Sequence, residues 1–333
     1  MVFVLLAVLI IGLALYETGY GVTNTWFKSF RKQTIVQLSA AAAFFTAAHF
    51  FLPSLFTSSS SLVVNLGFLS MLAYISTATI RSCPLTAIAA ACVGGILFPV
   101  LMHFSSQSGY FSAIQYVDNA GAGVVHFVGG VIALIASLYT SKIAKLSHPI
   151  LVRPYSATLG FLILWAGWLA YIGIISLPIL QSDPNIWLKG LINLSTATAW
   201  GALSAVGFMW FFRGKAKMRT CTVGGLAGLV AMSASPFAAP FWVAVLLGAL
   251  AGLAATFVYG NLCRFKIADP SNAISIHLAP GLLGALAVPL YNMDSFFTSQ
   301  IVGVSVLAIV AVSMGVVICE IHNLTRYPSN ITR

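Results

Sequence analysis

The stretch DNAGAGVVHFVGG, Asp118 to Gly130, opens an apolar segment with an acid and places a histidine eight residues inside it. A second stretch, DPSNAISIHLAPG, Asp269 to Gly281, repeats the order: acid, eight steps, histidine, then glycine. Ionisable groups inside an apolar helix are costly and mark a functional site or a partner. One spacing, used twice in a single chain, says that the two stretches are halves of one construction.

The surrounding composition names the solvent. Of 333 residues, 59% are hydrophobic and 7% charged, against roughly a quarter charged in a soluble domain. The chain reads as a single multi-pass membrane domain, residues 1–333, placed in the cell membrane. Apolar runs near the ~20 residues needed to cross a bilayer fall at about 3–20, 35–54, 62–80, 85–104, 120–141, 156–180, 189–212, 220–236, 238–262, 272–291 and 298–320. The expected fold is therefore all-α, with eleven transmembrane helices.

An odd number of spans puts the termini on opposite sides. With the N-terminus outside and the C-terminus cytoplasmic, fifteen of the sixteen lysines and arginines lie on inner segments and only Lys189 lies outside, as the positive-inside rule requires. That distribution accounts for the formal charge of +10 and the pI near 9.6 through contact with anionic lipid rather than nucleic acid. The first run carries Glu17 and lacks a signal-peptide cleavage pattern, so it reads as span 1.

Five spans separate span 5 from span 10, so the helices begun by Asp118 and Asp269 run in opposite directions. This is the mark of an inverted five-helix repeat, spans 1–5 against 6–10, with a final helix added. Eight residues at ~1.5 Å each carry His126 and His277 about 12 Å in from opposite faces, near the centre of a ~30 Å core. Two rings at that depth are expected to pair through one N–H···N bond and to line a substrate pore. Asp118 and Asp269 stand where a carboxylate caps a helix start, and Asp118 also biases an outer vestibule toward cations.

The remaining signals read more plainly. His49, His103, His148 and His322 lie near the membrane surfaces as packing residues, and the five cysteines lack metal-ligand spacing. Gly121, Gly123, Gly129, Gly130, Gly281, Gly284 and the runs GGLAGL and GALAGL are seams for close helix approach. Trp165, Trp168 and Tyr171 are candidate pore walls able to hold a small cation on a ring face. No nucleophile with its base, carboxylate pair or phosphate loop is present, so an enzyme is not expected. No cofactor or metal is called for.

These residues resemble the ammonium transporter family over nearly the whole chain. DNAGAGVVHFVGG is similar to its DFAGGxVVH stretch, DPSNAISIHLAPGLLGAL to DDPxDxFxVHGxxG, and LILWAGWLAYIG to LxWxGWxxFNxGS; LALYETGYG and TATIRSCPLTA match the ends of helices one and three. The resemblance implies a homotrimer with one pore per subunit, His126 and His277 as twin pore histidines, and ammonium as substrate, recruited outside and losing its proton or having it relayed separately as it crosses past those histidines. It places Tyr171 at the inner gate phenylalanine, Ile172 at an asparagine and Ile175 at the serine of the outer cation site. Asn272 falls at an aspartate. The resemblance assigns no residue of spans 3 and 4 to the outer gate phenylalanine or the recruiting tryptophan, Phe68, Tyr74 and Phe104 being merely nearby, and Trp168 and Phe68 join Tyr171 as gate candidates. The expected function is ammonium or ammonia transport. The alternatives are a membrane ammonium sensor that conducts poorly, with a cytoplasmic signalling or regulatory partner, and a Rhesus-like channel for neutral ammonia.

Overall fold

Lipid offers no partner to backbone N–H and C=O groups, so a chain this apolar satisfies them within helices. The structure, a computed structural model, describes residues 2–20, 25–51, 59–80, 83–106, 108–141, 153–177, 183–293 and 295–326. The helices in chain order are α1 (Val2–Gly19), α2 (Trp26–Phe51), α3 (Ser59–Thr77), α4 (Cys83–Cys92), α5 (Phe98–Ser105), α6 (Tyr110–Ala113), α7 (Val128–Ser141), α8 (Pro154–Ser176), α9 (Ile186–Arg213), α10 (Met218–Met232), α11 (Phe241–Arg264), α12 (Ala273–Ala287) and α13 (Phe297–Arg326). A π turn at Val93–Leu97 joins α4 to α5, and a second at Ala122–Phe127 leads into α7. His148, Asn330, Arg81, Lys142, Lys145 and Arg333 lie outside the described residues, as do the side chains of Cys83, His322 and Arg326.

Among the described residues, seven helical stretches are long and apolar enough to cross a membrane: Pro84–Ala113, Ala122–Tyr139, Pro154–Ser176, Ile186–Arg213, Phe241–Arg264, Ala273–Leu290 and Phe297–Ile321. Three further apolar helices are shorter, at Ala7–Gly19, Leu62–Thr77 and Met218–Met232. The helix α2 starts at Trp26, well before the apolar run drawn from residue 35, so Lys28, Arg31 and Lys32 lie in its opening turns. Lys32 reaches Glu17 of α1 at 2.9 Å, and Glu17 has no exposed surface. This pair explains how an acid is tolerated inside span 1.

Helix pairs in the two halves of the chain pack alike. The helix α2 lies on α4 as α9 lies on α11, α3 on α7 as α10 on α12, and α2 on α3 as α9 on α10. Across the halves, α1 packs on α8 and α7 on α12. The seams are made of glycine, as the GGLAGL and GALAGL runs led one to expect. A Cβ at Gly228 would stand 2.0 Å from the Ala197 carbonyl oxygen, and one at Gly252 would stand 2.1 Å from that of Gly201. Both close α9 onto its neighbours at backbone contact, where dispersion between helices replaces the hydrophobic drive that lipid does not provide.

Candidate functional site

The site grows from the two acid-led turns. The backbone N–H groups of Asn119 and Ala120 donate to the Ala234 and Ser233 carbonyls at 2.7 and 2.9 Å, which pins the first turn to the end of α10. Three residues after each acid the chain turns left-handed, at Gly121 (φ 81°) and Asn272 (φ 60°), a conformation that glycine and asparagine accept with least strain. The helix N–H groups beyond then face back on the acid. Asp118 Oδ2 accepts from Gly123 N at 2.9 Å and Val124 N at 2.8 Å. Asp269 accepts from Ile274 N at 3.1 Å, Ser275 N at 3.0 Å and Ser275 Oγ at 2.6 Å.

Those bonds anchor the two helices that carry the histidines. Asp269→Ala strips acceptors from three donors and is expected to cost about 2 kcal/mol, the upper end for a lost cap, while Asp269→Asn keeps an acceptor and costs less. The thermal midpoint of detergent-purified protein reads this directly, and an unchanged midpoint in Asp269→Ala would remove the anchoring role.

Two glycines let these helices cross. A Cβ at Gly130 would stand 2.6 Å from Leu278 N, and one at Gly281 would stand 2.6 Å from Ala122 O and 2.7 Å from Phe127 N. The crossing presents His126 and His277 to each other, 2% and 7% exposed. Their ring centroids are 4.9 Å apart and their planes lie within 7° of parallel. The expected N–H···N bond between them is absent: neither nitrogen of His126, nor Nδ1 of His277, has a hydrogen-bond partner. Such a bond needs an N–H aimed in the ring plane at a lone pair, and the parallel rings bring no nitrogen of His126 into that position. His126 also sits in the π turn Ala122–Phe127, a widened turn that periodicity does not reveal and that recurs at functional sites.

The rings share a cavity with Leu13, Tyr16, Met71, Tyr74, Leu164, Trp168, Leu226, Leu229, Val230, Ser271 and Ile276. It offers about 30 Å³ to the centres of water-sized molecules, room for one or two molecules of that size. Its wall is largely aliphatic and aromatic, and the unpartnered polar atoms on it are those imidazole nitrogens and the Tyr16 and Ser271 hydroxyls.

Aromatic rings continue the line toward the C-terminal end of α8. Trp168 lies 5.3 Å from His126 and donates from Nε1 to Ser233 Oγ at 3.1 Å. Tyr171 is 5.2 Å from Trp168, and Phe68 meets Tyr171 edge to face at 5.5 Å. The Tyr171 hydroxyl donates to the Val64 carbonyl, so the polar atom it adds is taken up by α3. Of the three aromatic candidates, only Trp168 lines the cavity, with Tyr171 and Phe68 lying beyond it. Ile175 is half-buried and packs against the core outside the cavity wall.

The sequence reading did not single out Tyr16, Met71 or Ser271. Tyr16 stood in the quoted LALYETGYG and Ser271 just before Asn272, but nothing in their spacing says that they face the histidines. His49 and His103 are exposed, and no group of three or more potential metal ligands occurs among the described residues.

Comparison with known proteins places this geometry among relatives. The model of the Ammonium Transporter Family matches residues 1–326. The ammonium transporter Amt2 of Archaeoglobus fulgidus is 29% identical over 223 residues, covering 62% of this chain and 47% of that one. The chain spans about half the length of the curated relatives it matches. Among solved structures, one named Sensor Amt Protein superposes with a TM-score of 0.84 at 22% identity, covering 98% of this chain and 92% of the other. Candida albicans Mep2 gives 0.80 at 17% identity, covering 98% and 83%.

Proposed function

The chain belongs to the Ammonium Transporter Family, and from that premise we propose that it carries ammonia, derived from ammonium, across a membrane through the cavity between His126 and His277. The observation that bears most of the weight is the pair of parallel imidazoles, with no hydrogen bond between them, in a largely apolar cavity. A hydrated cation entering there would lose its water and find no counter-charge, whereas neutral ammonia loses far less. Potassium has no proton to give up, so the same cavity selects against it. The free ring nitrogens supply the hydrogen bonds that ammonia needs as it passes.

The finer architecture belongs to this reading. Eleven spans put the N-terminus outside and the C-terminus in the cytoplasm, with spans 1–5 and 6–10 as inverted repeats. Supporting this, the two acid-led turns match in every step: a left-handed residue three places on, capped N–H groups five and six places on, a histidine at eight, and a contact glycine at twelve. Asp118 and Asp269 then serve as anchors for the paired helices. Trp168, Tyr171 and Phe68 form the aromatic approach from outside, with Ile175 at its rim, and the working unit is a homotrimer in the cell membrane.

The test is reconstitution in liposomes. An ammonium gradient is expected to change the internal pH faster than in empty vesicles, while an equal potassium gradient produces no current. Rates equal to those of empty vesicles would end the conduction reading.

A further inference from the structure

We propose that Arg219 is an electrostatic barrier at the inner end of the pore, turning back charge and letting neutral ammonia pass. The inference rests on the reading of the chain as an ammonia pore with its C-terminus inside.

The position of Arg219 follows from a short series of contacts. Tyr16 and Ser271 line the histidine cavity. Tyr20 meets Tyr16 edge to face at 4.8 Å, and the Arg219 guanidinium lies 5.2 Å from the Tyr20 ring centre and 4.4 Å from that of Tyr259. Nε donates to Asn272 Oδ1 at 2.6 Å, Nη2 donates to the same oxygen, and Nη2 also reaches the Asp269 carbonyl at 3.3 Å. Asn272 directly follows Ser271. The charge therefore sits one ring beyond the cavity, clamped across α10 and the start of α12. The Tyr20 hydroxyl is hydrogen-bonded to Thr222 beside it, which ties α1 to the same place.

Every acceptor on this guanidinium is neutral: an amide oxygen, a backbone carbonyl and two ring faces. They hold the charge in position without cancelling it. Among the described residues, Lys32–Glu17 is the one contact within 4.0 Å between a basic side chain and a carboxylate, so Glu17 is already matched. Asp269 is the acid next along; its carboxylate oxygens accept from Ile274 and Ser275, and neither lies within 4.0 Å of the guanidinium. With Lys217 at the same end of α10 and Arg264 and Lys266 at the end of α11, basic side chains outnumber acids at this face.

A fixed unit charge about 10 Å from a passing ion, at an effective dielectric constant of about 20, slows that ion on the order of tenfold. A neutral molecule feels no such barrier, and arginine excludes protons and cations from other narrow pores in this way. The proton shed by ammonium would be stopped at the same place.

The experiment compares wild type, Arg219→Gln and Asn272→Asp in liposomes, recording ammonia entry by internal pH and charge movement as ammonium-evoked current. Arg219→Gln keeps a donor for Asn272 without the charge. Asn272→Asp keeps arginine and tightens its clamp, but neutralises it, so a residue that served packing alone would show no change. Expected is ammonia entry with little current in wild type, and about tenfold more current in both variants, with ammonia entry within about twofold. Equal current in all three proteins, each eluting as one assembly, overturns the barrier. Gain of current in the variants with no ammonia entry in wild type keeps the barrier and removes the conduction reading.

Discussion

Replacing His126 or His277 by alanine is expected to cripple selective ammonium uptake, with a fall of about 5- to 150-fold in rate. That range is the ~1–3 kcal/mol cost of leaving a buried donor or acceptor without its hydrogen bond, converted to rate. Within the cavity the only other polar lining comes from Tyr16, Tyr74, Trp168 and Ser271, and the Trp168 N–H is already given to Ser233. Ammonia in an alanine variant would thus cross with few partners. The measurement is the initial rate of internal alkalinisation in liposomes, with thermal stability as the control for folding. Uptake at the wild-type rate in both variants would strip the pair of its role and leave the cavity without a function.

Gly281→Ala is expected to be nearly as damaging, although it touches no candidate substrate atom. Its Cβ would fall 2.6 Å from Ala122 O and 2.7 Å from Phe127 N, against backbone that cannot rotate aside. The helix α12 must then back away from the π turn that holds His126, and the 4.9 Å ring separation must grow. Overpacking of this kind costs about 1–3 kcal/mol. The variant should melt earlier than wild type and lose most of its uptake. Wild-type uptake together with a wild-type melting point would show that the crossing is looser than its contacts indicate. Gly173→Ala is the companion, because its Cβ meets nothing within 4 Å and should leave both measurements unchanged.

Much of this protein was legible before any coordinates. A composition so poor in charge allows only a membrane fold, and the bilayer sets the length of each helix, so the apolar runs and the helices agree closely at 120–141 and 272–291. The acids and glycines of the two quoted stretches were legible for the same reason: a helix start needs an acceptor, and a tight crossing needs a missing side chain. The family resemblance rested on those residues, and the family match spans them.

Other features required neighbours to be placed. The start of α2 at Trp26 is capped by Thr25, whose Oγ1 accepts from Lys28 N at 3.3 Å, and the basic opening turns are tolerated because Lys32 meets Glu17 on another helix, which no apolar pattern encodes. The histidines come together without the shared N–H···N bond, because ring orientation is set by the crossing of two backbones and by the π turn rather than by residue spacing. Tyr16 and Ser271 join the cavity, while Tyr171 and Phe68 lie beyond it, for a similar reason. Helix periodicity says which side chains share a face but not which faces meet. By itself, the sequence determined the solvent, the helices and the two acid-to-histidine registers, since each follows from local chemistry at a fixed spacing. Only the tertiary structure decided what the imidazoles face and where Arg219 sits, because both depend on contacts between residues far apart along the chain.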